Sequence, residues 1–153
     1  MKEKIFRTLP LILLVLLIGS MALVAFVPSA KALNDSGDVT AIGISLAQLR
    51  QFFAIPLCFF WAVGLMVCSF RPKVPARWPD WVCPAVGGVM TAAGIYCSWS
   101  AAAFLAFPPL PAGFGTFLMN NSWLLSLWWA VAGVFLTLAV IPRRETTKHQ
   151  NRP

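Results

Sequence analysis

Charged residues are scarce in this chain, and their scarcity excludes most classes of soluble protein. Only 11% of the 153 residues are Asp, Glu, Lys or Arg, whereas soluble globular domains carry about 25%. Hydrophobic residues make up 59% of the chain. Because so short a chain cannot bury that much apolar surface in a soluble core, the sequence predicts a protein that is solvated by a lipid bilayer.

Residue patterns that support catalysis or metal binding are absent as well. The single histidine is His149, close to the end of the chain, and the four cysteines form no CxxC pair. No HExxH, GxSxG or P-loop pattern occurs. The long apolar stretches contain no carboxylate, so acid–base catalysis and proton relay at membrane depth lack the groups they need. The sequence therefore predicts a non-enzymatic protein without cofactor or metal.

Four long apolar stretches dominate the chain instead. They predict membrane-spanning helices over residues of about 9–27, 49–70, 81–107 and 123–141. Each reaches the ~20 residues that a helix needs to cross the hydrocarbon layer. Helices satisfy their own backbone groups in lipid, and the alternating pattern of a β-barrel is missing. The predicted fold is an all-α membrane protein, a single integral membrane domain of four helices in an antiparallel bundle.

Basic residues lie almost entirely on one side of this predicted bundle. Ten of the twelve Lys and Arg residues precede the first stretch, separate the second from the third, or fall in a short tail over residues 142–153. Loops rich in Lys and Arg stay on the cytoplasmic side. Both termini and the 71–80 loop are therefore predicted to be cytoplasmic. The net charge of +7 is then explained by the basic cytoplasmic segments, and no nucleic-acid partner is expected.

The polar segment CSFRPKVPARWPDWVC, residues 68–83, is predicted to be the turn of a transmembrane hairpin. Its three prolines end one helix and delay the next. If the second and third spans pack directly, Cys68 lies close to Cys83, and Cys58 close to Cys97, at matching depths. A stable disulfide is disfavoured in a cytoplasmic loop, so we interpret the four cysteines as packing residues.

The first span also fits the pattern of a signal peptide. A basic start and an apolar middle are followed by Ala30-Lys31-Ala32, which matches an A-x-A cleavage site. The apolar run of about 19 residues exceeds the usual 7 to 15 of a signal peptide. We favour an uncleaved span. Cleavage would leave three spans with the same orientation.

The two segments predicted to lie outside the cytoplasm offer candidate partner contacts. Ser36, Gly37 and Asp38 are turn and N-cap residues, and helix is expected from about Val39. Arg50 would lie at the membrane interface, where it either snorkels or contacts an acidic partner or lipid headgroup. Pro56 is expected to kink the second span.

The second outer segment, residues 107–122, is apolar but contains three prolines and two glycines. This composition argues against regular structure. Phe114 and Phe117 are expected to rest on the membrane surface or against a partner. Together with Arg50 they are the predicted partner-contact residues.

Small residues recur on one face of each of the last two spans. Their spacings of three and four place each set along one side of a helix, where small side chains allow close approach and hydroxyls can bond across. We expect the third and fourth spans to pack through these faces, although one face could serve another chain. The predicted helix-packing residues are Gly87, Thr91, Gly94, Ser98, Ser126, Ala130, Gly133 and Thr137.

The plan of about 150 residues, four spans and both ends inside resembles several kinds of small bacterial inner-membrane protein, among them bacteriocin immunity proteins and exclusion proteins. The resemblance rests on topology, not on a motif. It implies a protein of the bacterial inner membrane that binds a membrane protein or forms a homo-oligomer. The alternative is a small channel or carrier for an uncharged or lipidic substrate, which needs a polar stripe. The polar residues Thr91, Tyr96, Ser98, Ser100 and Ser126 do not share one face.

Overall fold

The computed structural model describes residues 2–37, 40–70, 79–103 and 112–141, and these residues are almost entirely helical, with no strand among them. Four helices in these ranges are long and apolar enough to cross a membrane, which confirms the prediction of an all-α protein with four spans. Their apolar segments are Arg7–Ser36, Ser45–Phe70, Val82–Ala101 and Ser122–Val140. The predicted hairpin turn at 71–78 and the basic tail at 142–153 lie outside the described residues.

Seven α-helices and one π-helical turn make up the described chain. In chain order they are α1 (Lys2–Phe26), α2 (Ala30–Ser36), α3 (Ala41–Leu49), the π-helical turn (Arg50–Ala54), α4 (Ile55–Phe70), α5 (Val82–Ala103), α6 (Ala112–Asn120) and α7 (Ser122–Val140).

Local capping signals explain the helices that follow the first span. Ser29 caps α2, since its Oγ accepts a hydrogen bond of 3.2 Å from the Ala32 N–H. The helix ends at Gly37, whose φ of +70° suits glycine, so the turn predicted there is confirmed. Helix α3 begins later than expected because Thr40 is its N-cap, and the Thr40 Oγ1 accepts from the Gly43 N–H at 3.1 Å.

The π-helical turn is the local response to Pro56. Proline has no N–H, and its ring crowds the carbonyl four residues earlier. Immediately before Pro56 the helix widens, and the Ile55 N–H donates to the carbonyl of Arg50 five residues back. The disturbance expected at Pro56 thus takes the form of a π-helical turn.

Helix α6 corrects the prediction that residues 107–122 lack regular structure. Ala112–Asn120 is helical. The three prolines of the segment all precede the helix, and only its two glycines lie within it. Glycine weakens a helix by about 1 kcal/mol, whereas an interior proline costs about 3, so position along the segment matters more than composition.

Helix α7 lies between α4 and α5 and packs along both of them. No Cα atom of α4 lies within 8 Å of one in α5, so Cys68 is not close to Cys83, nor Cys58 to Cys97, and only the π-helical turn and α3 at the start of the second span approach α5. The 11-residue connection from 71 to 81 is long enough to pass the end of one intervening helix, which is about 10 Å wide. Helix α1 packs mainly on α4. The spans therefore form a row in the order α1, α4, α7, α5, which we call the helix row.

Three buried clusters lie along this row. One joins the π-helical turn to α5, α6 and α7, the second joins α4 to α7, and the third joins α1 to α4. Their buried members are Phe52, Ala101, Leu118 and Leu125 in the first, Phe60, Trp129 and Ala132 in the second, and Leu13 and Cys68 in the third.

Candidate functional site

The small face of α5 receives large side chains from α7. A Cβ atom at Gly87 would lie 2.8 Å from Cδ2 of Leu136 and 3.0 Å from its backbone nitrogen. A Cβ atom at Gly94 would lie 3.1 Å from the Trp129 ring and 3.2 Å from the Trp128 ring. The glycines therefore provide the space in which the α7 side chains lie, and α5 packs directly on α7 as the sequence predicts.

The hydroxyl groups on the small face of α5 form hydrogen bonds. Ser98 is fully buried, and its Oγ accepts a hydrogen bond of 3.1 Å from the Trp129 Nε1. Thr91 donates to the carbonyl of Gly87 in its own helix at 2.7 Å. The indole N–H of Trp128 donates to the carbonyl of Met90 at 2.7 Å. Two indole groups of α7 are thus anchored to α5, one on a side chain and one on the backbone.

The small face of α7 packs against α4 and not against α5. A Cβ atom at Gly133 would lie 2.7 Å from the carbonyl oxygen of Phe60. One at Gly64 would lie 3.1 Å from Oγ1 of Thr137 and 3.3 Å from Leu13. The expectation that the two small faces meet each other is therefore wrong. The other two members of the α7 set are Ala130, which is half-buried, and Ser126, which is buried.

Gly64 is a packing residue that the sequence analysis missed. It is the point at which α1, α4 and α7 approach one another, because side chains of both neighbours lie within contact distance of its missing Cβ. The signal was available in the second span: Phe60, Gly64 and Cys68 are spaced by four residues, and all three are buried on one side of α4.

Arg50 binds the end of the first span. Its Nε donates a hydrogen bond of 2.9 Å to the carbonyl of Val24. In a continuous helix that carbonyl would accept from residue 28, but residue 28 is a proline and has no N–H. Arg50 therefore satisfies a backbone acceptor that the sequence itself leaves without a helical donor.

Gln51, the next residue of the π-helical turn, reaches a different helix. Its Nε2 donates to Oγ of Ser122, the first residue of α7, at 2.7 Å. Phe52, after it, is buried with α5 and α6 side chains. Consecutive residues of one short turn thus contact α1, α7 and α5, which makes the π-helical turn the junction at this end of the helix row.

Phe114 and Phe117 form an exposed aromatic pair on α6. Their ring centroids are 6.2 Å apart, and the planes are inclined by 21°. Their exposed fractions are 42% and 47%, while the neighbouring Leu118 is buried. The helix is anchored by Leu118 and presents the two phenyl rings outward. No contact in the described chain brings this pair together with Arg50.

A groove of about 350 Å³ separates the start of α4 from the start of α7. Its lining is mostly apolar, with Gln51 and Ser122 hydrogen-bonded to each other at one end and Ser126 one helical turn farther along α7. The lining residues are Gln51, Ile55, Phe59, Ser122, Trp123, Ser126 and Leu127.

Other polar side chains of the spans are used within their own helices. Ser20, Ser69 and Ser100 each donate to the carbonyl four residues back. Every buried side-chain nitrogen and oxygen in the described ranges has a hydrogen-bond partner. No group of three His, Cys, Asp or Glu residues able to hold a metal ion occurs among the described residues.

Comparison with protein-family models, with curated proteins and with solved structures finds no match to this chain.

Proposed function

We propose that this chain is a small non-enzymatic protein of the bacterial inner membrane that binds a membrane-protein partner, or a second copy of itself, through the two ends of its helix row. An immunity or exclusion protein, or an accessory subunit of a membrane complex, is an example of such a partner-binding protein. The observation that carries the proposal is the open arrangement of the spans, since α1 and α5 do not contact each other to close a ring.

The exposed surface of α1 supports this proposal. Helix α1 has one principal neighbour, α4. Its large exposed apolar side chains extend from residue 11 to the end of the helix: Leu11, Ile12, Leu14, Val15, Leu16, Ile18, Met21, Leu23 and Phe26. Lipid can cover such a surface, but a helix held on one side only also offers a broad face to another transmembrane helix.

The outward side of α5, at the other end of the helix row, also supports the proposal of partner binding. Ala85, Gly88 and Ala92 are exposed there, and a Cβ atom at Gly88 would have nothing within 4 Å. Small residues at this spacing allow the backbone of a second helix to approach closely. The aromatic pair on α6 extends the exposed apolar surface beyond the spans.

We propose further that both termini and the 71–80 loop are cytoplasmic. The distribution of Lys and Arg supports this orientation. The register of contacts supports the alternating direction of the spans. Leu13 packs with Cys68, and Val24 bonds with Arg50, so α1 and α4 run in opposite directions. For α5 and α7, the contact of Gly87 with Leu136 and the bond of Ser98 with Trp129 support opposite directions as well.

Cysteine labelling tests this orientation. In a chain without its native cysteines, Ser36→Cys and Gly113→Cys should react with a membrane-impermeant maleimide in intact cells. Ala76→Cys should react only after the membrane is permeabilised, because the basic loop stays inside. Reaction of Ala76→Cys in intact cells would reverse the proposed topology.

Site-specific photocrosslinking tests the proposed binding surfaces. A photoreactive amino acid at Val15 on α1 or at Val89 on α5 should give protein adducts in the native membrane. Met66 on α4 is a matched control, since its exposed fraction of 57% is close to the 61% of Val15, but α4 has neighbours on two sides of the row. Lipid adducts alone at all three positions would contradict the proposal.

A further inference from the structure

We propose that the groove between α4 and α7 binds one acyl chain of a membrane phospholipid, with the ester region of the lipid hydrogen-bonded by Gln51 and Ser122. The inference rests on the membrane placement of the spans and not on the partner-binding function.

The direction of the groove matches that of a lipid chain. Gln51, Ile55 and Phe59 are spaced by four residues and line one wall over two helical turns, about 12 Å at 1.5 Å per residue. Ser122, Trp123, Ser126 and Leu127 line the other wall over the corresponding part of α7. The groove therefore runs along the helix axes, as the acyl chains of a bilayer do.

The polarity of the groove lining decreases along this length, as the polarity of a lipid decreases from its ester groups to its acyl chains. At one end the Gln51 amide and the Ser122 hydroxyl are exposed and bonded to each other. This bond leaves the second N–H of the amide and the hydroxyl hydrogen able to donate to an ester carbonyl. At the other end lie Phe59 and Leu127, with exposed fractions of 47% and 52%. A ligand with one polar end and an apolar chain fits both ends at once.

The dimensions favour a single hydrocarbon chain over a partner helix. A helix with its side chains is about 10–12 Å wide. The two walls are joined by a 2.7 Å hydrogen bond at the polar end, so they are too close there for a helix to enter between them. Trp123 stands beside this bond with an exposed fraction of 58%, and tryptophan is favoured at the level of the lipid headgroups. That position sets the polar end of the groove at the depth of the ester groups.

Photolabelling of the purified full chain tests this proposal without any other membrane protein present. The protein is placed in phosphatidylethanolamine vesicles that contain a trace of the same lipid with a diazirine on one acyl chain. After irradiation, label is mapped by peptide mass spectrometry. We expect it to concentrate at Phe59 and Leu127 relative to Val89, which is 70% exposed but lies outside the groove.

Two variants with a matched control decide whether the groove itself causes the labelling. Leu127→Trp should fill the groove and lower the labelling of Phe59 about tenfold, equivalent to about 1.4 kcal/mol. Gln51→Leu should lower it about fivefold, the net value of one hydrogen bond. Val131→Trp, one turn farther along α7 and outside the groove, should leave it unchanged.

Equal labelling of Phe59 and Val89, or labelling of Phe59 that is insensitive to Leu127→Trp, would mean that the groove is ordinary lipid-facing surface, and would overturn the proposal. An equal decrease in Val131→Trp would overturn it too. No other membrane protein is present in the vesicles, and a second copy of the chain that covered Val89 would not make the labelling of Phe59 sensitive to Leu127→Trp. The photocrosslinking test at Val15 and Val89 therefore stays independent.

Discussion

Replacement of Trp129 by alanine should lower the free energy of unfolding by about 3–5 kcal/mol, the usual range for a large aromatic side chain removed from a core. Trp129 is only 4% exposed. Its ring lies edge-on to Phe60, with centroids 5.8 Å apart and planes at 78°, and its indole N–H is bonded to the buried Ser98. The substitution therefore opens a cavity between α4, α7 and α5 and leaves a buried hydroxyl without its donor.

The matched control for Trp129→Ala is Trp99→Ala on α5, because Trp99 is 57% exposed. Its substitution should change the free energy of unfolding by about 0.5 kcal/mol or less. Denaturation of the purified proteins in mixed micelles, followed by circular dichroism, measures both. Equal destabilisation by the two substitutions would show that Trp129 does not occupy the centre of the helix row.

Gly133→Ala should destabilise the protein by about 1–3 kcal/mol, the range expected for overpacking. The added Cβ would lie 2.7 Å from the backbone carbonyl of Phe60. A backbone atom cannot rotate away as a flexible side chain can, so α4 and α7 would have to separate. Separation costs dispersion energy along the whole contact, since attraction falls steeply with a gap of 0.5–1 Å.

Gly88→Ala is the control for this substitution, because the new Cβ would have no neighbour within 4 Å. Both changes replace glycine by alanine inside a helix, so the gain from helix propensity is shared. Only the clash differs. Under the same denaturation assay Gly88→Ala should be neutral or slightly stabilising. Equal stability of the two variants would contradict the close approach of α7 to α4.

The membrane spans could be predicted from the sequence because lipid excludes charge and demands helix over about 20 residues. The small face of α5 could be predicted for a similar reason, since spacings of three and four place Gly87 and Gly94 on one side of any helix. Spacing identifies a face but not the neighbour that it meets. Gly133 therefore could not be assigned to α4 from the sequence, because that depends on the rotation of α7 in the row.

Neighbouring spans in the chain need not be neighbours in space, and the order of the row was not accessible from the sequence. The turn between the second and third spans left open whether they pack directly, and α7 lies between α4 and α5. For the Arg50–Val24 hydrogen bond, the sequence identifies the acceptor but not the donor. Pro28 already implies that the Val24 carbonyl lacks a helical donor, but the donor comes from a residue 26 positions away and depends on how α1 lies against the π-helical turn.

Disulfide formation within one chain tests most directly whether α7 separates α4 from α5. Two chains are compared in isolated membranes under a mild oxidant: one with Cys68 and Cys83 as its only cysteines, the other with Gly64→Cys and Thr137→Cys as its only cysteines. A disulfide requires Cα atoms within about 7 Å, and no Cα pair of α4 and α5 lies within 8 Å. We expect the Gly64→Cys/Thr137→Cys chain to form an intramolecular disulfide and the Cys68/Cys83 chain to remain reduced. Efficient bonding of Cys68 to Cys83 would place α4 directly against α5 and contradict the helix row.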